Sequence, residues 1–333
     1  MMNPRLLPIA AAFISASLLP VVFAHGEFSM EILDHEWHLA GFENSLDISG
    51  VAAATAEQAL VGSDESFFIQ PGTIQSDKLR IESQRPIALP LESGKKKAEI
   101  DIEGVAYCKE VRSYYVVGSH GLGKKKADFQ AERHAVYEIP VDPKTGRIRK
   151  NAIRHTSLLP WIEKTPQLAP YLKKPLQQNG FNIEGLTSSK GRLYIGLRAP
   201  NKSGSGVVID LAAADLFHGK PMPLVCHLVD IGEGRGIREI AAIRGGFILV
   251  TGNASAEASK KISKTLAVEP DNRFEMRFWN GKDPSSRLIG TLPRNEGKAE
   301  GLLILSDKDE QVDLLVIFDG LPGGQPLAVR LNR

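Results

Sequence analysis

The sequence predicts an all-β chain folded as a single β-propeller of five four-stranded blades. A short phrase recurs along the chain, with its third residue at Ser49, Glu103, Glu184, Arg238 and Glu300. About a dozen residues after each phrase comes an apolar run ending in a small residue and a polar one. One or two further β-rich stretches follow before the phrase returns. Repeats of four short strands at this spacing are the pattern of propeller blades.

The first 24 residues read as an export signal. Arg5 is the only charge before His25, and the apolar stretch from Leu6 to Val22 leads to Val22-Phe23-Ala24. Small or aliphatic residues at those positions place cleavage after Ala24. The stretch contains Pro8 and Pro20 and is at the short limit for a membrane span. The expectation is therefore a periplasmic or extracellular protein, residues 25–333, with no membrane span after cleavage. Cys108 and Cys226 are far apart in sequence and are expected to be unpaired.

Each blade opens with a hairpin. The phrases Asp47-Ile48-Ser49-Gly50-Val51, Asp101-Ile102-Glu103-Gly104-Val105, Asn182-Ile183-Glu184-Gly185-Leu186, Gly236-Ile237-Arg238-Glu239-Ile240 and Lys298-Ala299-Glu300-Gly301-Leu302 supply the first strands. The runs that follow, such as Tyr114 to Gly118 and Phe247 to Gly252, supply the second. They are rich in Val, Ile, Tyr and Phe and bounded by Gly and Asp, as strands are. Third strands are expected at 66–70, 135–141, 206–211, 274–279 and 327–331, and fourth strands at 88–91, 153–159, 224–231 and 287–292. The fifth unit lacks a fourth strand. Phe28 to Leu33, continuing to Leu39, can supply it and close the ring, which removes open sheet edges. The alternative is six blades, with an atypical one inside 151–180. Four prolines at 160, 166, 170 and 175 limit any helix there to short pieces. Ala254 to Lys264 is the better helix candidate, and Leu211 to His218 suits a single turn.

Composition narrows the function. With 41 Lys+Arg against 39 Asp+Glu the net charge is +2. That balance gives no reason to expect nucleic acid, which needs a concentrated basic surface. Two cysteines are too few for a Cys-based zinc site. Lys95-Lys96-Lys97 and Lys124-Lys125-Lys126 read chiefly as solvated loops. A monomer is expected, with a small anionic molecule or another protein as partner.

Hairpin geometry selects a face. The start of one strand and the end of its antiparallel neighbour share an edge. Ser49 is then expected beside Asp64, Glu103 beside His120, Glu184 beside Arg198, Arg238 beside Asn253, and Glu300 beside Asp319. The long loops leave from that same face, and binding commonly resides on long loops held by a rigid scaffold. The first strand of a blade is innermost, so the five third residues meet at one axis. Converging carboxylates need neutralising. Ca²⁺ accepts six to eight oxygens in irregular geometry, and Glu103, Glu184, Glu300 and the Ser49 hydroxyl are its expected ligands. Arg238 interrupts the acidic ring and can instead pair with Glu184 or Glu300. A one-residue bulge would turn Glu239 inward in its place. His120 is the candidate acid–base group because imidazole titrates near neutrality. Arg198, Arg238, Asn253, Asp64 and Asp319 are the candidate ligand contacts.

The phrases at 101–106, 182–186, 236–240 and 299–302 resemble a bacterial family known only as a domain of unknown function, over most of residues 45–330. That resemblance implies a propeller-like fold and no established activity. More loosely, the Asp-x-Glu-Gly form resembles the secreted esterase-like phytase-associated propellers. Ser49, Glu103, Glu184 and Glu300 are similar in position to the Glu and Ser that hold an axial Ca²⁺ in the five-bladed calcium-activated nucleotidases. Two functions are therefore expected as alternatives. One is a metal-assisted hydrolase of phosphate or carboxylate esters, with the cation as Lewis acid. The other is a non-catalytic propeller that binds a ligand or protein, since a fold does not choose between them.

Overall fold

A computed structural model describes residues 28–43, 46–76, 78–81, 86–92, 94, 98–265, 273–293 and 297–333. The expected export signal and Lys95-Lys96-Lys97 lie outside the described residues. Five sheets, antiparallel apart from one outer pair, surround one axis. Blade 1 runs outward through Ile48–Thr55, Gln58–Ser63 and Phe68–Ile74, and Lys78–Ile81 and Ile87–Ala88 share its outer edge. Blade 2 is Ile102–Cys108, Ser113–Gly118, Val136–Pro140 and Arg154–Thr156. Blade 3 is Asn182–Ser189, Arg192–Lys202, Ser205–Ala212 and Val225–Asp230. Blade 4 is Arg235–Ile243, Gly246–Asn253, Glu275–Trp279 and Ser286–Thr291. Blade 5 is Lys298–Asp307, Gln311–Asp319 and Leu327–Asn332, completed by Ser29–Ile32.

Each inner strand packs on the next, and the last packs on the first. The reason is visible in the alternation of side chains along the strands. Leu60 faces blade 2 with Ile102 and Val116, whereas Ala59 and Val61 face blade 5 with Leu315 and Ile317. Val207 and Ile209 pack towards blade 2 while Val208 packs towards blade 4. Each sheet is therefore apolar on both faces, and the core is divided among the five blade junctions.

The closing strand forms as expected. Met30 pairs with Leu331 and Ile32 with Val329, and the Leu33 amide donates to Ala328 O at 2.9 Å. Phe28 and Met30 also join the apolar cluster between blades 4 and 5. Deleting residues 25–33 is expected to lower the melting temperature by roughly 5–10 °C, from the lost apolar burial. It also exposes the edge of Leu327–Asn332, so light scattering should rise on storage. A truncated chain that melts with the full one and stays monomeric would show that the ring closes without this strand.

Several details differ from the sequence reading. The strand expected to run on to Leu39 breaks. His38–Ala40 pairs in parallel with Lys78–Ile81 on blade 1. There is no sixth blade among the described residues. After the blade 2 strand Arg154–Thr156, the rest of the 151–180 segment forms a short helix, Leu159–Glu163, and two single turns. Its Trp161, Ile162 and Leu168 are buried against blades 2 and 3. Residues 254–264 are not helical. Carbonyls that a helix would use are taken by Arg198, which donates to Ala254 O and Ser255 O, and Ser259 closes a local turn with Ile262. One turn does form at Asp215–His218. Both cysteines are free thiols. No helix among the described residues is long and apolar enough to cross a membrane.

Candidate functional site

All five phrases contain a β-bulge at the same place. The pairing register slips between Ile48 and Gly50, Ile102 and Gly104, Ile183 and Gly185, Ile237 and Glu239, and Ala299 and Gly301. The third residue of each phrase is thus the unpaired one, and a bulge re-aims such a side chain. In four of the five a glycine follows, because the next blade is close. A Cβ on Gly104 would lie 2.6 Å from Leu186 Cβ, and one on Gly185 only 2.9 Å from Ile240 N. Ser49, Glu103, Glu184, Arg238 and Glu300 are all buried, none more than 5% exposed.

The bulged residues do converge, but as an ion-pair network. Arg238 Nε lies 2.7 Å from Glu184 Oε2, and its Nη2 contacts Glu300 Oε1. Arg198 Nη1 lies 2.7 Å from Glu184 Oε1. Ser49 spends its hydroxyl hydrogen on Ile102 O. The set expected to hold Ca²⁺ is therefore assembled, with two of its three carboxylates already engaged by arginine. Only Glu103 has neither an ion pair nor a hydrogen bond among the described residues. Burial, then Asp101 and Glu184, push its carboxyl well above the usual range, and the Lys124 ammonium opposes this.

Three of the expected ligand contacts, Arg198, Arg238 and Asn253, are engaged within the fold in the same way. Arg198 is pinned by Glu184, Ala254 O and Ser255 O. Arg238 reaches Asn253 O at 3.4 Å, and Asn253 Oδ1 accepts from Ser255 N. These groups tie the second-strand loops to the axis and offer little to an incoming anion. Arg238 and Glu239 are both buried. Glu239 Oε1 accepts from Ile240 N at 2.8 Å and Leu186 N at 3.2 Å. It lines an axial cavity of about 170 Å³ on the opposite side of the bulges.

His120, the expected acid–base group, is buried. It has a left-handed φ of 52° and turns into the core. Nδ1 donates to Gly118 O at 2.9 Å, which leaves Nε2 to accept the Leu158 amide at 3.2 Å. With both nitrogens spent, the ring has no proton to exchange with a substrate. Burial, then His134, lower its pKa to about 3. The folded state therefore holds His120 neutral where the unfolded chain takes up a proton. Stability from this group is complete above about pH 6.5 and falls by about 1.4 kcal/mol per unit towards pH 3. His120→Gln should flatten that slope in urea melts between pH 6 and 4. An unchanged slope would place the acid sensitivity elsewhere.

A second acidic cluster stands at the junction of blades 5 and 1. Asp47, Asp64 and Asp319 each bring one carboxylate oxygen within 4.8 Å of the other two. Asp47 opens the first phrase, and Asp64 and Asp319 follow the second strand of blade 1 and end that of blade 5. The hairpin registers bring them together, helped by Gly320 N donating to Leu46 O at 2.7 Å. Lys298 Nζ lies 2.5 Å from Asp319 Oδ2. Asp64 Oδ1 is buried without a hydrogen-bond partner. Burial, then Asp319, Asp101 and Glu300, push the Asp64 carboxyl up to about 8. Burial, then Glu300, raise Asp319 to about 6 against the pull of Lys298. Burial and Glu65 also raise Asp47. Three hard oxygen donors with one nearby ammonium suit a divalent cation.

Sequence reasoning found Asp64 and Asp319 but missed Asp47. The signal was present, because Asp47 occupies the same first place in its phrase as Asp101. It also missed Lys298, which partners Asp319, and Arg133, which holds Asp101 at 2.8 Å.

A family model described as "Protein of unknown function (DUF3616)" matches residues 47–138 and 135–325. No curated protein matches the sequence. Among solved structures, a PQQ-bound aldose sugar dehydrogenase from Streptomyces coelicolor is 12% identical, with a TM-score of 0.41, over 92% of this chain and 98% of that one. A streptogramin B lyase is 10% identical over 92% and 98%, with a TM-score of 0.36. The WD40 propeller domain of Doa1 is 8% identical over 91% and 96%, also with a TM-score of 0.36. At these values the likenesses say nothing about activity.

Proposed function

Since the chain belongs to this family of unknown function, we propose its role from its own site: an exported binding propeller that holds a divalent cation, Ca²⁺ by donor chemistry, at the junction of blades 5 and 1. Asp47, Asp64 and Asp319 are the ligands. The bound cation, with Lys124 beside it, then takes a small anionic molecule on the loop face. The observation that carries this reading is the buried, unpartnered Asp64 oxygen within a three-carboxylate cluster. Glu103, buried and unpaired nearby on the axis, adds further negative potential. A cation would offset the repulsion that raises these carboxyls, and two or three protein carboxylates plus water complete a Ca²⁺ shell.

Binding is favoured over hydrolysis because His120 has both nitrogens engaged. Calorimetry at pH 8 should show Ca²⁺ binding that Asp319→Asn weakens at least tenfold, and a chelator should lower the melting temperature. Absence of heat and of any melting shift sinks the cation. A panel of phosphate and carboxylate esters should show no turnover. Turnover abolished by Glu103→Gln would restore the hydrolase reading.

A further inference from the structure

Three segments on the site face form an interlocked crown. Gln177, buried in the 160–180 insertion, donates through Nε2 to Lys124 O at 3.0 Å and Glu257 O at 3.1 Å. Its main-chain carbonyl accepts from Thr265 N at 3.1 Å. Ser259 Oγ donates to Lys125 O at 3.3 Å, and Gln178 Nε2 to Ser263 O at 3.5 Å. Segments of blades 2 and 4 and the insertion, far apart in sequence, are thereby cross-tied.

Each segment brings an exposed lysine pair to the crown: Lys125 and Lys126, Lys173 and Lys174, Lys260 and Lys261. The chain as a whole carries only +2, so this is a local excess rather than a general one. Among the described residues of these loops, Glu257 pairs with Lys264 at 3.4 Å and Asp128 accepts from Gln130 at 3.3 Å. Next to the first pair stands Phe129, a large apolar side chain left 61% exposed. Its ring stacks on His134 at 4.4 Å, which holds it in place outside the core.

Cations alone would suit any polyanion. Cations beside a fixed, exposed aromatic ring suit the boundary between anionic headgroups and acyl chains. We propose that this crown seats the propeller on an anionic lipid surface, with the axial mouth turned towards the headgroups. This goes beyond the cation site and does not rest on it.

The chain from residue 25 keeps every described strand and serves for the test, which is run in chelator so that the cation proposed between blades 5 and 1 plays no part. Co-sedimentation with vesicles rich in phosphatidylglycerol should be strong, and with phosphatidylcholine alone weak. High salt should weaken it, because exposed charges are screened. Charge reversal at Lys125, Lys126, Lys173 and Lys174 should weaken it at least tenfold, with an unchanged melting temperature as the folding control. Phe129→Ser should weaken vesicle binding severalfold yet leave retention on heparin unchanged. Equal binding to both vesicle types overturns the proposal. So does heparin retention combined with vesicle binding that ignores Phe129→Ser, since that pattern marks a soluble polyanion as the partner.

Discussion

Arg238→Met is expected to destabilise the fold by about 3–5 kcal/mol, the range for removing one partner of a buried ion pair. Arg238 is fully buried and joins Glu184 of blade 3 to Glu300 of blade 5. Without it, buried Glu300 loses its main counter-charge and buried Glu184 loses one of its two arginine partners. The pH dependence should change too. Burial pushes the Glu300 carboxyl up, but Arg238 and Lys298 hold it below its ordinary range. A depressed carboxyl contributes stability that is present above its unfolded pKa and lost as pH falls through the folded one. Arg238→Met should remove that contribution, so the variant's deficit is largest at neutral pH and shrinks in acid. Urea melts at pH 7 and pH 4 measure both. A deficit under about 1 kcal/mol at pH 7 would mean that the axial acids are neutralised by something other than Arg238.

Asp64→Asn is expected to act in the opposite sense. The folded state holds Asp64 with a pKa of about 8, against an ordinary 3.8. Stability from a raised carboxyl is complete below its unfolded pKa and is lost as pH rises towards the folded one. The wild-type protein in chelator should therefore weaken from about pH 4 to pH 8. The asparagine variant should not, and at pH 8 it should be more stable by about 2 kcal/mol, after allowance for partial solvation of the site. Ca²⁺ reverses the order. At a hundred times its dissociation constant a ligand adds about 2.7 kcal/mol to the protein that binds it. The wild type should gain this and the variant should not. A variant that is less stable in chelator would make Asp64 a structural residue, and one that still responds to Ca²⁺ would move the cation away from this cluster.

The two acidic sites were not equally legible. The recurring phrases placed Ser49, Glu103, Glu184, Arg238 and Glu300 on one axis, because a phrase repeated at blade spacing must occupy the same place in each blade. Hairpin pairing likewise put Asp64 and Asp319 on the loop face. The sequence left open which of Arg238 and Glu239 turns inward, and the bulge brings both into the interior at different levels. The burial of His120 was not legible, for a local reason. Its left-handed backbone directs the ring under Leu158 rather than towards the axis. The supposed helix at 254–264 failed because helix-forming residues were outcompeted by hydrogen bonds from Arg198, a contact from another blade.

Periodicity by itself pointed to the propeller, favoured five blades over six, and placed the closing N-terminal strand and the side on which the loops gather. Alternation and turn residues are local properties, and a repeated local pattern has few ways to bury both faces of every sheet. Tertiary structure decided which charges neutralise one another. Whether Glu184 meets a cation or an arginine depends on a few ångströms between strands of different blades, and pairing energies in a buried site change sign over that range. The same holds for the lysine crown, whose members share a surface only because Gln177 and Ser259 tie three distant loops together.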